Sequence, residues 1–271
     1  WKPADYLGFN TNLAGGTLAM LIPVPLAHTL SAHSRHERQD NARRRLIRAA
    51  LRICTGIESA LIAIVLVLTQ SRGALLAALV ASAVMLTARN WRWLLLVAVV
   101  VTGGVWVFQT SGGADTTSDV DSALNSAEGR IELWSRGLAI AQDFPFTGIG
   151  MGTVASVTPP FYPTFRIPDD AGIEHFHSLY ANTAAETGYA GLITWVAFLC
   201  GLLALLWRAG RTSSDSPWGS LVLGSLGTIV VACVHGITDT LFFAPKVFVI
   251  AWALFGIGTA ASIDRLRAEK A

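Results

Sequence analysis

The 271-residue chain is 52% hydrophobic and 14% charged, with a formal net charge of +2 and a mean hydropathy of +0.50. An ordinary soluble domain carries roughly 25% charged residues, so composition excludes a soluble enzyme and points to a polytopic membrane protein. Where the charges lie is more informative than their sum.

A spanning helix needs about 20 mostly apolar residues, and seven runs qualify as candidates: 9–30, 49–70, 73–88, 92–109, 188–207, 217–236 and 246–263. The third is short and depends on packing against neighbours. Strand-like alternation is absent, and backbone groups in lipid must be satisfied within their own segment. The predicted fold is therefore all-α: a polytopic transmembrane helical bundle of about seven spans. Four spans fill 1–109, an extramembrane loop fills 110–176, and three spans fill 177–271. Gly219, Gly224 and Gly227 suit close helix packing in the sixth span. Cys54, Cys200 and Cys233 all fall in apolar runs and read as small buried apolar residues.

Lys and Arg set the orientation. Residues 31–48 with Arg52, the pair Arg89 and Arg92, the pair Arg208 and Arg211, and the tail with Arg265, Arg267 and Lys270 hold 14 of the 20 basic residues. These four regions alternate with the others as seven spans require, which places them and the C-terminus in the cytoplasm. The loop 110–176 then lies on the outer face. Its first part, with Asp119 and Asp121, is turn-rich. "AEGRIELWSRGLAIAQDFP" reads as an amphipathic helix with Ile131, Trp134, Leu138 and Ala141 on one face, widened by Leu133 and Ile140, lying along the membrane surface. Asp143 and Pro145 end it, and a Gly-rich turn follows.

Several outer-face residues carry candidate chemistry. Arg72 sits between two spans joined by almost no loop, where an unpaired cation is costly. A guanidinium there suits a phosphate or diphosphate gripped in bidentate fashion, and a snorkelling interface anchor is the plainer account. Arg130 and Arg136, six residues apart, diverge on a straight helix. His175 and His177 precede the fifth span. Solvated or capping histidines, a general base and a metal pair all fit that spacing. Glu58 lies inside the second span. Asn10, Asn12, His235 and Asp239 fall at the outer ends of spans and either join a common pocket or are merely interfacial.

Four stretches together resemble the O-antigen ligase family, which includes related polymerases and oligosaccharyltransferases. They are "FNTNLAGGTLAMLIP" (9–23), "SRGALLAAL" (71–79) with Arg72 and Leu76, "GRIELWSRGLAIAQDFPFTGIGMG" (129–152) and "HSLYANTAAETGYAG" (177–191) with His177, Ser178, Gly188 and Gly191. The family's usual His-Asn is His177-Ser178 here.

The resemblance implies a cofactor-free, metal-independent, inverting membrane glycosyltransferase of the bacterial inner membrane, active on the outer face. Its donor would be a glycan on undecaprenyl diphosphate. Its acceptor would be a lipid A–core sugar hydroxyl, or a second lipid-linked glycan in a polymerase. Membrane lipid would be a partner and nucleic acid would not. Carried over, Arg72 and Arg130 hold the diphosphate and His177 takes the acceptor proton. Arg136, His175, Asn12 and His235 line the substrate site, and Glu186 faces elsewhere. The break between Gly188 and Gly191 lets the catalytic stretch meet the spanning helix at an angle. Family members have about ten to twelve spans, so further N-terminal helices are expected before Trp1. A transporter of the same lipid-linked glycan is the rival from another class, but no internal repeat supports it.

Overall fold

The computed structural model describes residues 11–30, 41–89, 99, 102–103, 126–168, 172–212, 217–243 and 245–268. Apolar runs became helices in the order expected, with α1 Thr11–Leu21, α2 Pro23–Thr29, α3 Ala42–Leu68 and α4 Arg72–Arg89 first. α5 Ala127–Asp143 and α6 Val154–Phe161 follow, then α7 Leu179–Thr212, α8 Pro217–Thr238 and α9 Pro245–Ala268. No strand occurs among the described residues. α3, α7, α8 and α9 are long and apolar enough to cross a membrane, and α4 is a shorter apolar helix. The fourth predicted span, 92–109, lies almost wholly outside the described residues, as do Asn10 and the Asp119–Asp121 pair.

Two boundaries differ from the expectation. The run 9–30 is two helices, because Pro23 and Pro25 deny the chain two backbone donors and α2 restarts with Pro at its first position. The second span begins seven residues early. Asn41, extended at ψ 160°, caps α3 by accepting from the Arg44 N–H at 3.0 Å. The basic run Arg43–Arg48 is therefore helical.

The described chain falls into two compact units. The first takes residues up to 104, with 201–235 and 241–271. Its core gathers Met20 of α1, the alanines 74, 77 and 81 and Met85 of α4, Leu226 and Ile229 of α8, and Phe255 of α9. Small residues set the approach of these helices. A Cβ on Gly224 would lie 2.7 Å from the Val24 Cα, and one on Gly227 would lie 2.6 Å from the Pro23 Cβ. Two of the three expected packing glycines, Gly224 and Gly227, therefore do act as contact points. Thr228 Oγ1 adds a buried bond, donated to the Met20 carbonyl at 2.9 Å.

The cysteine expectation fails in part. Cys54 and Cys200 are exposed on outward sides of their helices, and Cys233 is half-buried. A small apolar thiol suits a lipid-facing helix side as well as a core, so its type alone does not fix its depth.

The second unit takes 105–200 and 236–240. Its own core is Leu133 and Ile140 of α5, Val154 of α6, Ile167, Ile173, Phe176 and Ala185. Helix α5 begins and ends as predicted: the Ser126 Oγ accepts from the Gly129 N–H at 2.9 Å, and the helix stops at Asp143. Its buried face agrees in part. Leu133, Ile140 and Ala141 of the expected apolar side pack inward with Gly129 and Gly137, whereas Ile131 and Leu138 are exposed. The inward stripe contains two glycines, so a count of large apolar residues shifts the expected face toward Ile131 and Leu138.

Candidate active site

The site grows from the segment just before α7. His177 has φ +44°, a left-handed conformation held by the groups around it. Its N–H donates to His175 Nδ1 at 3.2 Å. Its carbonyl accepts from Trp134 Nε1 at 3.3 Å. The Phe176 N–H donates to Asn182 Oδ1 at 3.3 Å. The fully buried Phe176 ring sits where α5 has Gly137, whose Cβ would stand 3.1 Å from it. Helix α5 thus presents Arg130, Trp134 and Gly137, at spacings of four and three, along one stripe toward this segment.

Ser178 then starts α7. Its Oγ accepts from the Ala181 N–H and donates to the Gly236 carbonyl, both at 3.4 Å. The Ser178 hydroxyl thus serves at the helix N-terminus, where hydroxyl and amide side chains cap well.

Facing His177 is Asp239, just past the end of α8. Asp239 Oδ1 lies 3.4 Å from His177 Nδ1 and accepts from the Thr240 N–H at 2.8 Å. Arg130 Nη1 donates to the Thr238 carbonyl at 2.9 Å, so α5 and the 238–240 turn are tied beside the histidine. Burial pushes the Arg130 pKa down, and the Asp239 carboxylate opposes that shift. Burial, helped by His177 and opposed by Asp239, pushes His175 down to about 4. His175 is therefore neutral near pH 7, with Nδ1 accepting and Nε2 carrying the proton.

One potential ligand atom from each of His175, His177 and Asp239 lies within 4.8 Å of the other two. The lone pairs argue against this trio as a metal site. His175 Nδ1 is engaged by the His177 N–H and its Nε2 is protonated, which leaves two donors where a structural or catalytic ion takes at least three. The Arg130 guanidinium beside Asp239 also disfavours a second cation. The arrangement suits proton transfer better. A carboxylate opposite Nδ1 favours the tautomer with its proton there and leaves the Nε2 lone pair as base. The 3.4 Å gap is long for a hydrogen bond, and such contacts commonly tighten when substrate binds.

The other expected residues have their own surroundings. Arg136 lies 3.7 Å from Glu132 and 5.2 Å above the Phe165 ring, diverging from Arg130 as spacing suggested. Glu132 in turn accepts from the Phe165 and Arg166 N–H groups at 2.6 and 2.9 Å, which fixes that loop.

Arg72 belongs to the first unit, exposed at the start of α4. The turn before it has Gln70 at φ +55°, and Ser71 Oγ donates to Asn12 Oδ1 at 3.0 Å. Asn12 therefore supports the turn that bears Arg72. His235, also in the first unit, is 1% exposed, and a Cβ on Gly16 would meet its ring at 2.7 Å. That environment is a packed core. Glu58 is exposed on α3. Asp239 and Trp134 are the site residues that motif reasoning underweighted. Asp239 is distant in sequence from the histidines, and Trp134 read as an ordinary apolar position.

The break in α7 completes the picture. Gly188 has φ +70°, ψ −177° inside the helix. Tyr189 N–H leaves the helical ladder and donates to the Pro145 carbonyl at 2.7 Å. The Ala185 and Glu186 carbonyls accept from Ile149 and Gly150 at 2.9 and 3.0 Å. Glu186, which spacing placed away from the histidine, is buried and accepts from the Gly152 N–H at 2.8 Å.

A kinked helix end thus carries a histidine with a left-handed backbone beside a carboxylate and an arginine, in a chain whose described residues include four helices long and apolar enough to cross a membrane. The O-antigen ligase family profile matches residues 59–196, and the chain belongs to that family. It is also 30% identical over 146 residues to the exopolysaccharide production protein ExoQ of Rhizobium meliloti (strain 1021). That match covers 51% of this chain and 33% of ExoQ, so the chain spans about a third of that relative's length.

Proposed function

We propose that the chain carries the catalytic part of an inverting glycosyltransferase that moves a glycan from undecaprenyl diphosphate to an acceptor hydroxyl, in the manner of an O-antigen ligase. The observation that carries this reading is His177 Nδ1 facing Asp239 Oδ1 at 3.4 Å, with Arg130 tied beside them. His177 takes the proton from the acceptor hydroxyl through Nε2 while Asp239 steadies the imidazolium. The acceptor oxygen bonds to the anomeric carbon as the bond to the diphosphate oxygen breaks. Arg130 and Arg72 offset the charge growing on the leaving diphosphate. The chemistry sits on the outer face of the inner membrane, with the C-terminus in the cytoplasm.

A second reading is a polymerase that uses another lipid-linked glycan as acceptor, and the ExoQ relative is named for exopolysaccharide production. The test uses the full-length protein in nanodiscs with chelator present. It is given the lipid-linked donor and either a lipid A–core acceptor or a second lipid-linked glycan. Single-block transfer to the core supports the ligase, and chain growth supports the polymerase. His177→Ala should lower either rate by about 10²- to 10⁴-fold. Full activity in that variant, or no product with either acceptor, would overturn the transferase reading.

A further inference from the structure

The loop after α5 has an unusual composition for an extramembrane segment. Residues 144–165, "FPFTGIGMGTVASVTPPFYPTF", hold no Asp, Glu, Lys, Arg or His and four phenylalanines. Phe146 is 83% exposed and Met151 81%, with Phe144, Phe161 and Phe165 also outward. Water-facing loops are normally polar, and large apolar side chains held out in this way mark a partner surface.

The break in α7 fixes where this segment lies relative to the membrane. Before Gly188 the helix is packed in protein: Asn182, Ala184, Ala185 and Glu186 are all buried. After it the large exposed side chains as far as Leu206 are apolar, with Ile193, Val196 and Phe198 turned outward, and the exposed Thr194 hydroxyl donates to the Ala190 carbonyl of its own helix at 2.8 Å. Residues 189–211 form a helix of roughly 34 Å at 1.5 Å per residue, enough for a hydrocarbon core of about 30 Å. Tyr189 therefore stands at the edge of the hydrocarbon. Segment 145–152 is tied to that level by the Tyr189–Pro145, Ile149–Ala185 and Gly150–Glu186 backbone bonds and by the Glu186 carboxylate on the Gly152 N–H.

We infer that the uncharged segment 144–165, through Phe144, Phe146 and Met151, is an interfacial lipid anchor. It seats in the headgroup–acyl boundary of the leaflet at Tyr189 and sets the depth of the His177 site. Lipid is the occupant because the segment is continuous with the lipid-facing helix and has no charge to lose on entering the boundary. The inference needs the membrane placement of α7 and not the transfer chemistry.

The full-length protein, with Cys54, Cys200 and Cys233 replaced by alanine, would receive one cysteine at Met151 or Phe161 and a nitroxide label. Arg267→Cys would serve as the aqueous reference. Power-saturation spectroscopy in nanodiscs then compares access of oxygen with that of a water-soluble nickel chelate. Both loop labels should favour oxygen several-fold more than the reference does. Preferred access of the chelate would overturn the anchor. Exclusion of both relaxants would also overturn it, because it would mean cover by protein, a second copy or another part of the chain. A folded check comes from the thermal midpoint of each labelled variant, and the two positions guard against one failing to fold.

Discussion

His177 holds a conformation that costs a non-glycine residue of order 1–3 kcal/mol, at φ +44°. Three neighbours oppose that cost, His175 and Trp134 on its own backbone groups and Asn182 one residue earlier. Such effort to aim one side chain fits a reacting group. Asp239 then acts as a positioning residue, and Asp239→Asn separates its charge from its shape. The amide oxygen still accepts from the Thr240 N–H, so the fold should persist. Loss of the carboxylate opposite Nδ1 should lower kcat by about 10- to 100-fold with little change in KM for the donor. An unchanged kcat would remove Asp239 from the mechanism. His175 gives a second prediction. Its pKa is depressed to about 4 from an ordinary 6.5 by burial and by His177, with Asp239 opposing and Arg130 tied nearby. The folded protein therefore binds fewer protons than the unfolded chain, so stability is full above about pH 6.5 and declines as pH falls toward 4. A thermal-melt series in detergent should show this decline, and His175→Gln should flatten it.

The helix ends carry the local logic of the fold. Gly188 lies in a region of backbone space almost restricted to glycine, and a Cβ there would stand 2.6 Å from the Pro145 carbonyl oxygen. Gly188→Ala should therefore cost at least about 2 kcal/mol and release the 145–152 segment. Gly201→Ala on the same helix meets open space and should be neutral or stabilising by up to about 1 kcal/mol. Comparing the melting temperatures of the two variants tests whether the break, rather than glycine content, matters. This break was legible in the sequence as two glycines three apart beside an apolar run. So were the end of α5, through Asp143 and Pro145, and the tight turns at Gly148 and Gly150. The inward face of α5 was legible only in part, because Gly129 and Gly137 pack by lacking a side chain. Pro23 and Pro25 mark the α1–α2 break in the sequence, but the mostly apolar run 9–30 looks continuous to a hydropathy count. Asp239 stood out in the sequence as a polar residue at the outer end of a span, but its pairing with His177 shows only in three dimensions. It lies 62 positions beyond His177, and no spacing rule links them.

For the whole molecule the decisive question is which side of the membrane holds His177. If α7, α8 and α9 each cross, they alternate in direction. The His177 segment, the 238–240 turn and the start of α9 then share one side. The α7–α8 connection and the end of α9 share the other. Arg208, Arg211, Arg265 and Arg267 all fall in that second group, and cytoplasmic loops attract basic residues. The same assignment puts α5, with Arg130, on the outer face, where a lipid-linked glycan would present its sugars. Single cysteines in a cysteine-free background test this in intact spheroplasts with a membrane-impermeant maleimide. Ser135→Cys, exposed on α5, should label at once. Asp264→Cys, exposed near the end of α9, should label only after permeabilisation. The opposite pattern would place His177 and Asp239 in the cytoplasm, away from a donor presented outside. The base, the diphosphate-holding arginines and the acceptor hydroxyl would then no longer share a compartment, and the transfer proposed for them would fail on geometry alone.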